Sequence, residues 1–212
     1  RSGVRGRIAA LPMSLHESVV EVLSGWEISD PGQDALRHAV LAFVLARDDA
    51  CRRACAPGHI TASALVLDHN RTRALLTLHP RIGRWLQLGG HCEDADPTLA
   101  AAALREAREE VGLDPAQIDL IGTLPPHRTV TGFAMTAVLA VIRGPFTPIA
   151  EPGEVEEVFS LPFAHIADPA HYRIEGRRWR GGWRYYYVAP YGPYYLWGAT
   201  ARVLLQLARR MA

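Results

Sequence analysis

A helix with an acidic flank, predicted over residues 97–111, constrains the fold of this chain more than any other segment. At about 100° per residue, one arc of the helix is apolar and predicts burial against a core; its members are Leu99, Ala100, Ala103, Leu104, Ala107 and Val111. Asp96 occupies the expected N-cap position and Pro97 the first helical position, while Gly112 follows the last turn. These signals predict both ends of the helix.

Three glutamates lie beside that apolar arc. Glu106, Glu109 and Glu110 fall within roughly 100° of the helix circumference. Like charges at this spacing repel by about a few tenths of a kcal/mol, whereas a hard divalent cation prefers carboxylate oxygens and removes the repulsion. Arg105, one turn before Glu109, is placed to orient that carboxylate by a forked hydrogen bond. On its own, this pattern is more typical of a solvated face held by salt bridges. The glycines and acidic residues before the helix and Gly112 after it favour a metal-binding face.

The loop before the helix supplies candidate substrate contacts. Gly89 and Gly90 follow an apolar, strand-like stretch at 85–88, so a permissive backbone precedes the acidic helix. Backbone N–H groups in such a position bind phosphate oxygens. His91 is placed to contact phosphate or to carry a proton, the alternative being a structural loop histidine. Glu93 adds a carboxylate to the same loop.

Strands and helices alternate along the chain, which indicates an α/β fold. Residues 1–57 are interpreted as an N-terminal helical extension and residues 58–212 as the main domain. The extension holds helices at 14–25 and 31–47, the first opened by a capping box of Ser14 and Glu17. Hydrophobic periodicity predicts strands at 60–67, 74–78, 118–123, 133–142, 154–160, 184–189 and 194–197 and a closing helix at 198–211.

The segment from Gly89 to Leu113, GGHCEDADPTLAAAALREAREEVGL, resembles the Nudix box, G-x5-E-x7-R-E-U-x-E-E-x-G-U with U apolar. Its second half fits residue by residue, at Arg105, Glu106, Ala107, Glu109, Glu110, Gly112 and Leu113. Its first half fits after one residue is inserted in the loop, with Gly90 as the first glycine and Asp96 in place of the first glutamate.

The resemblance to Nudix hydrolases implies an α/β/α sandwich around a mixed sheet and a Mg²⁺- or Mn²⁺-dependent enzyme. Enzymes of this family use water to cleave a small organic pyrophosphate linked to another moiety. It implies that Glu106, Glu109 and Glu110 bind the metal, that Arg105 orients them, and that Gly89 contacts metal or phosphate. Either Glu109 or Glu110 would take the proton of the water. Family members also recruit an acidic residue from a downstream loop, for which Glu154 is the candidate; a solvated turn is the alternative.

The C-terminal half resembles the coenzyme A diphosphatase branch of the family, over residues 128–142, 153–163 and 167–200. Ten of the twelve Trp and Tyr residues lie between Tyr172 and Trp197, among several arginines. Aromatic rings there could stack an adenine and arginines could bind its phosphates; the alternative is packing in a core or across a homodimer. The region before the box, LLTLHPRIGRWLQLGG, lacks the R-S and L-R elements of that branch.

Three functions follow from these resemblances. The first is metal-dependent hydrolysis of a phosphoanhydride bond in a nucleoside diphosphate-linked compound, with coenzyme A-like compounds as candidates. The second is hydrolysis of another pyrophosphate, such as a nucleotide sugar, a dinucleotide or a dNTP. The third is a Nudix-fold domain that binds nucleotides without cleaving them, which the complete REAREEVG segment disfavours.

Composition and net charge indicate which classes of partner to expect and in which cellular compartment the protein acts. The net charge of +1 gives no reason to expect a nucleic acid polymer as partner. No apolar run reaches the roughly eighteen residues of a membrane span, and three cysteines do not form a disulfide scaffold. We therefore expect a cytoplasmic protein that binds no membrane. The spacing Cys51-x3-Cys55-x3-His59 could hold a soft metal, but the sequence offers no evident fourth ligand.

Overall fold

The structure, a computed structural model, describes residues 13–56, 58–128, 134–179 and 181–211. The helices within these ranges are α1 Leu15–Ser24, α2 Pro31–Leu45, α3 Leu99–Val111, α4 Phe163–Ala167 and α5 Ala199–Met211. The strands are β1 Ile60–Leu67, β2 Arg73–His79, β3 Arg84–Leu86, β4 Leu88–His91, β5 Ile118–Thr123, β6 His127–Arg128, β7 Ala134–Ile142, β8 Glu157–Pro162, β9 Arg173–Trp179 and β10 Gly182–Val188.

Strand β1 is the centre of a mixed sheet. It pairs in parallel with β7 along its whole length and antiparallel with β2 and β4 on its other edge. Strands β5 and β6 pair with β7, and strands β3 and β8 pair with β2. Because both faces of β1 are covered, its sequence ITASALVL is almost continuously apolar instead of alternating.

The chain through β3 and β4 changes its partner strand at Gln87. Residues 84–86 pair with β2 and residues 88–91 pair with β1, so β2 and β4 separate at this point. Gln87 is buried there; its Nε2 donates to Ser63 Oγ (3.3 Å), and its Oε1 accepts from the Thr200 hydroxyl (3.2 Å). These bonds satisfy the buried amide of Gln87 and connect the start of α5 to the point where β2 and β4 separate.

Two hydrophobic clusters lie on opposite faces of the sheet. Helices α1, α2 and α3 cover one face, where Val19, Val44 and Leu99 pack together with alternate residues of β1. Helices α4 and α5 cover the other face through Ile166 and Leu204. The predicted α/β/α sandwich around a mixed sheet is therefore confirmed.

The predicted boundaries of the acidic helix are right at its end and wrong at its start. Helix α3 begins at Leu99, and its N-cap is Thr98, whose hydroxyl accepts from the N–H of Ala101 (3.1 Å). Asp96 does not cap the helix, because its carboxylate binds a distant side chain. Gly112, at φ 72°, closes the helix in the left-handed conformation as the sequence indicates.

The two N-terminal helices and the closing helix form close to their predicted positions. Ser14 accepts from the N–H of Glu17 (3.2 Å) and donates its own backbone N–H to the Glu17 carboxylate (2.7 Å), which confirms the capping box. Among the helices in the described ranges, none combines the length and the hydropathy that crossing a bilayer requires.

The aromatic segment differs from its prediction. Residues 194–197 were expected to form a strand but make only isolated bridges, whereas β9 pairs with β10 in a separate two-stranded ribbon. Strand β8 begins three residues later than predicted, because 151–155 form a turn. Parts of other predictions lie outside the described residues: 1–12 and Pro57 of the extension, Phe133 of a strand, and Arg180 of the aromatic segment.

The left-handed conformation of Gly112 at the end of α3 predicts that alanine at this position destabilises the protein. A Cβ at Gly112 would meet nothing closer than Ile149 Cβ at 3.8 Å, so Gly112→Ala would suffer backbone strain without a steric clash. We expect this variant to lose about 1 kcal/mol of unfolding free energy in urea titration. Gly144→Ala, at a position with open space and an ordinary φ, is the control and should change by less than about 0.5 kcal/mol. Equal stability of the two variants would contradict the strain.

Candidate active site

Arg105 joins the carboxylates on the acidic flank of α3. Its Nη1 donates to Glu109 (2.7 Å) and to Glu106 (3.1 Å), so two carboxylates meet at one nitrogen. Its Nη2 donates to the carbonyl of His91 (2.8 Å), which ties α3 to the end of β4. The contact between Arg105 and Glu109 that the spacing predicts is present, and the same guanidinium also holds Glu106.

Asp96 binds the other edge of that guanidinium. Its Oδ1 accepts from Arg105 Nε (3.0 Å), and its Oδ2 accepts from the backbone N–H of Glu93 (2.7 Å). The Asp96 side chain is only 6% exposed, so this ion pair is shielded from water. The role of Asp96 is therefore to fix Arg105 and the loop before α3, which corrects its predicted role as the helix cap.

Glu110 reaches the opening between β2 and β4. Its Oε1 accepts from the N–H of Gly89 (3.1 Å), and its Oε2 accepts from the Thr77 hydroxyl (3.3 Å). Burial raises the pKa of Glu110 to about 7, the bond from Gly89 opposes that rise, and the charge of Glu106 adds to it. Two neighbouring strands thus supply the donors for one desolvated carboxylate.

Glu106 packs directly against the backbone of Gly90. A Cβ at Gly90 would lie 2.5 Å from Glu106 Oε2 and 2.6 Å from its carboxyl carbon, so only glycine leaves room for this carboxylate. Burial raises the pKa of Glu106, Arg105 lowers it, and the charges of Glu109 and Glu154 raise it further. The close approach explains why a glycine precedes the acidic helix at this position.

The loop after β7 brings Glu154 to the same region. The N–H of Ile149 donates to the carbonyl of Val111 (3.0 Å), and the N–H of Glu151 donates to the carbonyl of Glu110 (2.9 Å). These bonds fasten the loop to the last turn of α3. The charge of Glu154 consequently raises the pKa of both Glu106 and Glu110. A fourth carboxylate therefore lies within electrostatic reach of the acidic flank.

His91 and Glu93 border the carboxylates from the β4 side. His91 Nδ1 lies 2.8 Å from Nε2 of His59, so one ring must donate its N–H to the other. Burial lowers the pKa of both imidazoles, and the charge of His59 lowers that of His91 further. The Glu93 carboxylate is 61% exposed and lies 3.7 Å from Arg105 Nη1.

The donor set suits a hard divalent cation. Carboxylate oxygens are the preferred ligands of such ions. Burial is the largest cause of the raised pKa values of Glu106 and Glu110, so their charged forms are costly there, and a bound cation would offset that cost. As the side chains stand in the described parts of the chain, no group of three His, Cys, Asp or Glu residues is arranged as a complete metal site. Arg105 engages only Oε2 of Glu109, so the other oxygen of that carboxylate stays available to a cation.

Two of the cysteines lie in the segment before β1, and the third, Cys92, directly follows β4 beside the acidic flank. Cys51, Cys55 and Cys92 are buried thiols without a disulfide. Burial raises the pKa of Cys51 to about 11 and that of Cys92 to about 12. Their raised pKa values favour the protonated thiol at neutral pH.

Sequence reasoning missed two residues that hydrogen-bond to residues of the site. Thr77 was noticed only as part of a strand, and His59 only as a candidate partner of cysteines. Thr77 is polar in an otherwise apolar run, which is a usable signal, but its bond to Glu110 spans 33 positions. Such a contact follows from strand register, which one sequence does not reveal.

The buried Asp96–Arg105 pair predicts a large effect on stability. Asp96→Asn keeps the shape of the side chain but removes the charge, leaving a mostly buried guanidinium without its shielded counter-ion. We expect a loss of about 2 kcal/mol of unfolding free energy in urea titration. The control is Asp94→Asn, because the Asp94 side chain is 76% exposed and its pair with Arg52 should contribute less than about 0.5 kcal/mol. Similar losses in both variants would be inconsistent with a special role for Asp96.

Known proteins are similar to this chain in sequence and, over part of its length, in structure. The NUDIX domain family matches residues 57–179. A Cronobacter sakazakii protein named "Uncharacterized Nudix hydrolase NudL" is 37% identical over 137 residues, and a Salmonella paratyphi B protein of the same name is 36% identical; each alignment covers 65% of this chain and 71% of the relative. The solved Nudix hydrolase RenU of M. smegmatis is 23% identical with a TM-score of 0.43, covering 52% of this chain and 75% of that one. With the family match covering more than half of its length, this chain belongs to the Nudix family and is a Nudix hydrolase.

Proposed function

We propose that this enzyme hydrolyses a phosphoanhydride bond in nucleoside diphosphate-linked compounds with Mg²⁺ or Mn²⁺, and that coenzyme A-like compounds are its first candidate substrates. The observation that carries the proposal is that Glu106 and Glu110 lie against the backbone of Gly90 and Gly89, that Arg105 joins Glu109 to Glu106, and that Glu154 is in electrostatic range. A polyphosphate and four carboxylates repel each other unless cations lie between them.

The residues that would hold the cation are Glu106, Glu109 and Glu110, with Glu154 as a further ligand. When bound, the cation would neutralise phosphate charge, lower the pKa of a water molecule and hold the reacting groups in line. Arg105 positions Glu106 and Glu109 through a single nitrogen. Gly89 and Gly90 stay candidate substrate contacts beside these carboxylates, although the N–H of Gly89 donates to Glu110 and Glu106 fills the space at Gly90. His91 and Glu93 border the same region.

One of Glu109 and Glu110 accepts the proton of the attacking water. Both lie on the same turn of α3, yet their surroundings differ. Glu109 is half exposed and bound by Arg105, whereas Glu110 is bound by Gly89 and Thr77 in the sheet. Removing either carboxylate takes away a proton acceptor or a ligand without disturbing the apolar face of the helix.

The group attached to the diphosphate distinguishes two candidate classes of substrate. The C-terminal aromatic segment resembles the coenzyme A diphosphatase branch, while residues 75–90 lack part of its signature. The second candidate is therefore another pyrophosphate, such as a nucleotide sugar, a dinucleotide or a dNTP. Product release from coenzyme A, ADP-ribose, a dinucleoside polyphosphate and dNTPs, each with Mg²⁺ or Mn²⁺, distinguishes the two.

Substitution of the two candidate bases tests the catalytic assignment. We expect Glu109→Gln and Glu110→Gln each to lower kcat at least about 100-fold on the best substrate of that panel. Glu21→Gln, an exposed change on α1, is the control and should stay within about twofold of wild type. Turnover like that of wild type in both active-site variants would contradict the assignment of Glu109 and Glu110 as catalytic residues.

The contribution of Glu154 is tested separately. Calorimetric titration with Mn²⁺ should show about tenfold weaker binding in Glu154→Gln than in wild type, because a ligand or supporting charge is lost. Glu156→Gln, from the same loop, should bind Mn²⁺ as wild type does. If Glu154 merely repels its neighbours, its removal will strengthen Mn²⁺ binding, and that outcome excludes it as a ligand.

A further inference from the structure

The β9–β10 ribbon is a basic segment of a chain that is otherwise slightly acidic. Residues 173–188 contain five of the 23 basic residues and only one of the 22 acidic residues, so this segment carries a charge of +4. The rest of the chain then has 18 basic and 21 acidic residues, a net charge of −3. The net charge of +1 averages over this uneven distribution. A polyanion that the chain as a whole does not attract is therefore still attracted to the ribbon.

One face of the ribbon carries three aromatic side chains, which we call the aromatic row. Trp183, Tyr185 and Tyr187 alternate along β10 and therefore share a face. Trp183 is 63% exposed and Tyr185 is 72% exposed, whereas Tyr187 packs against the hydrophobic cluster beneath α5. The rings of Trp183 and Tyr185 are nearly parallel, at 16°, and their centres are 6.5 Å apart. The row thus extends from the body of the protein into solvent.

A glycine on the neighbouring strand holds the two exposed rings in place. Gly176 is the cross-strand partner of Tyr185. A Cβ at Gly176 would lie 3.0 Å from Cε1 of Tyr185 and 3.4 Å from Cε3 of Trp183, so both rings lean over the position where a side chain would stand. Most of their surface stays accessible despite this contact. Ordered and accessible rings suit the stacking of planar bases.

Guanidinium groups without counter-ions lie beside the aromatic row. Arg178 is the cross-strand partner of Trp183 and shares its face. The guanidinium carbons of Arg202 and Arg209, on α5, lie 5.4 and 6.0 Å from the centre of the Tyr187 ring. In the part of the chain that the structure describes, none of these three arginines takes part in an ion pair. Positive charge therefore accompanies both ends of the row.

The one carboxylate of the ribbon does not neutralise these arginines. Glu175 is the cross-strand partner of Tyr186, so it leaves the ribbon on the face opposite Tyr185. There it accepts hydrogen bonds from Arg173 (2.9 Å) and from the Tyr195 hydroxyl. The face that carries the aromatic row thus offers guanidinium donors to an anion from outside the chain.

We propose that this face of the ribbon binds single-stranded RNA. Bases stack on Trp183 and Tyr185. Phosphates accept hydrogen bonds from Arg178, Arg202 and Arg209. The alternation of rings and cations matches a strand in which bases and phosphates alternate, and RNA presents such unpaired strands in loops, bulges and ends. This site lies outside the hydrolytic site and does not depend on the proposed function.

The same observations disfavour two other anionic partners. In a duplex, each base is already stacked between its neighbours, so its faces are not available to Trp183 and Tyr185. Side chains that enter a lipid surface project away from the protein, whereas these two rings lean over Gly176. A single strand is therefore the partner that uses both the rings and the arginines.

The test is titration of a fluorescein-labelled single-stranded RNA of about twelve nucleotides, followed by fluorescence anisotropy. EDTA in the buffer removes divalent cations, so the result is independent of hydrolysis. We expect saturable binding to wild type. Trp183→Ala and Tyr185→Ala should each weaken it about fivefold or more, because a stacked base loses its ring. Tyr185→Phe keeps the ring and should bind within about twofold of wild type.

The salt dependence of the same binding tests the arginines. Three phosphate contacts predict a slope of about −2 when the logarithm of the binding constant is plotted against that of the salt concentration. Arg178→Gln and Arg209→Gln should each reduce the size of this slope by about 0.7. Arg108→Gln removes the same charge from α3, which covers the opposite face of the sheet, and should leave the slope unchanged.

Trp179→Ala is the matched control for the rings. Trp179 is 46% exposed and pairs with Gly182, on the opposite face of the ribbon, so its removal leaves the aromatic row intact. We expect this variant to bind the RNA within about twofold of wild type. Circular dichroism and thermal midpoints check that all variants are folded.

Two kinds of result would overturn the proposal. The first is an equal loss of binding in Trp179→Ala, or no loss in Trp183→Ala and Tyr185→Ala. The second is a preference for another partner: tighter binding of duplex RNA, of a DNA strand of the same length, or of phosphatidylcholine–phosphatidylglycerol vesicles in cosedimentation. Each of these would assign the face of the aromatic row to that partner instead.

Discussion

Desolvated negative charge is the constraint on which the rest of this site depends. Glu106 and Glu110 lie at the surface of the sheet, where burial raises the pKa of each. Their neighbours compensate only part of that cost: one guanidinium, one backbone N–H and one hydroxyl. Gly90 is therefore a consequence of the carboxylates, since a side chain there would occupy the space of Glu106, whereas a Cβ at Gly89 would meet Ala62 and Ser63 of β1.

The sequence predicted the acidic flank because helix geometry is local. The spacing of Arg105, Glu106 and Glu109 determines which side chains share a face, and the structure places all three together. Helix geometry did not predict the role of Asp96. A short carboxylate just before a helix serves equally as a cap or as an ion-pair partner, and the choice depended on Arg105 nine residues away.

Non-local pairing accounts for what the sequence could not reveal. The change of partner strand at Gln87 and the bond between Thr77 and Glu110 both depend on register, which propensity does not encode. The aromatic segment is a similar case. Tyr and Trp favour strands, so a strand was expected at 194–197, yet β10 pairs with β9 and leaves those residues beside the sheet edge.

The N-terminal helices have a structural link to the chemistry of α3. Ser18 is buried in α1, and its hydroxyl accepts from the backbone N–H of Leu99 (3.2 Å), the first residue of α3. The first turn of α3 thus donates one backbone N–H to a helix that precedes the residues matched by the NUDIX family. If α1 moved away from α3, that N–H would lose its partner and the first turn of α3 would be less stable. Helix α1 therefore stabilises the start of the acidic helix.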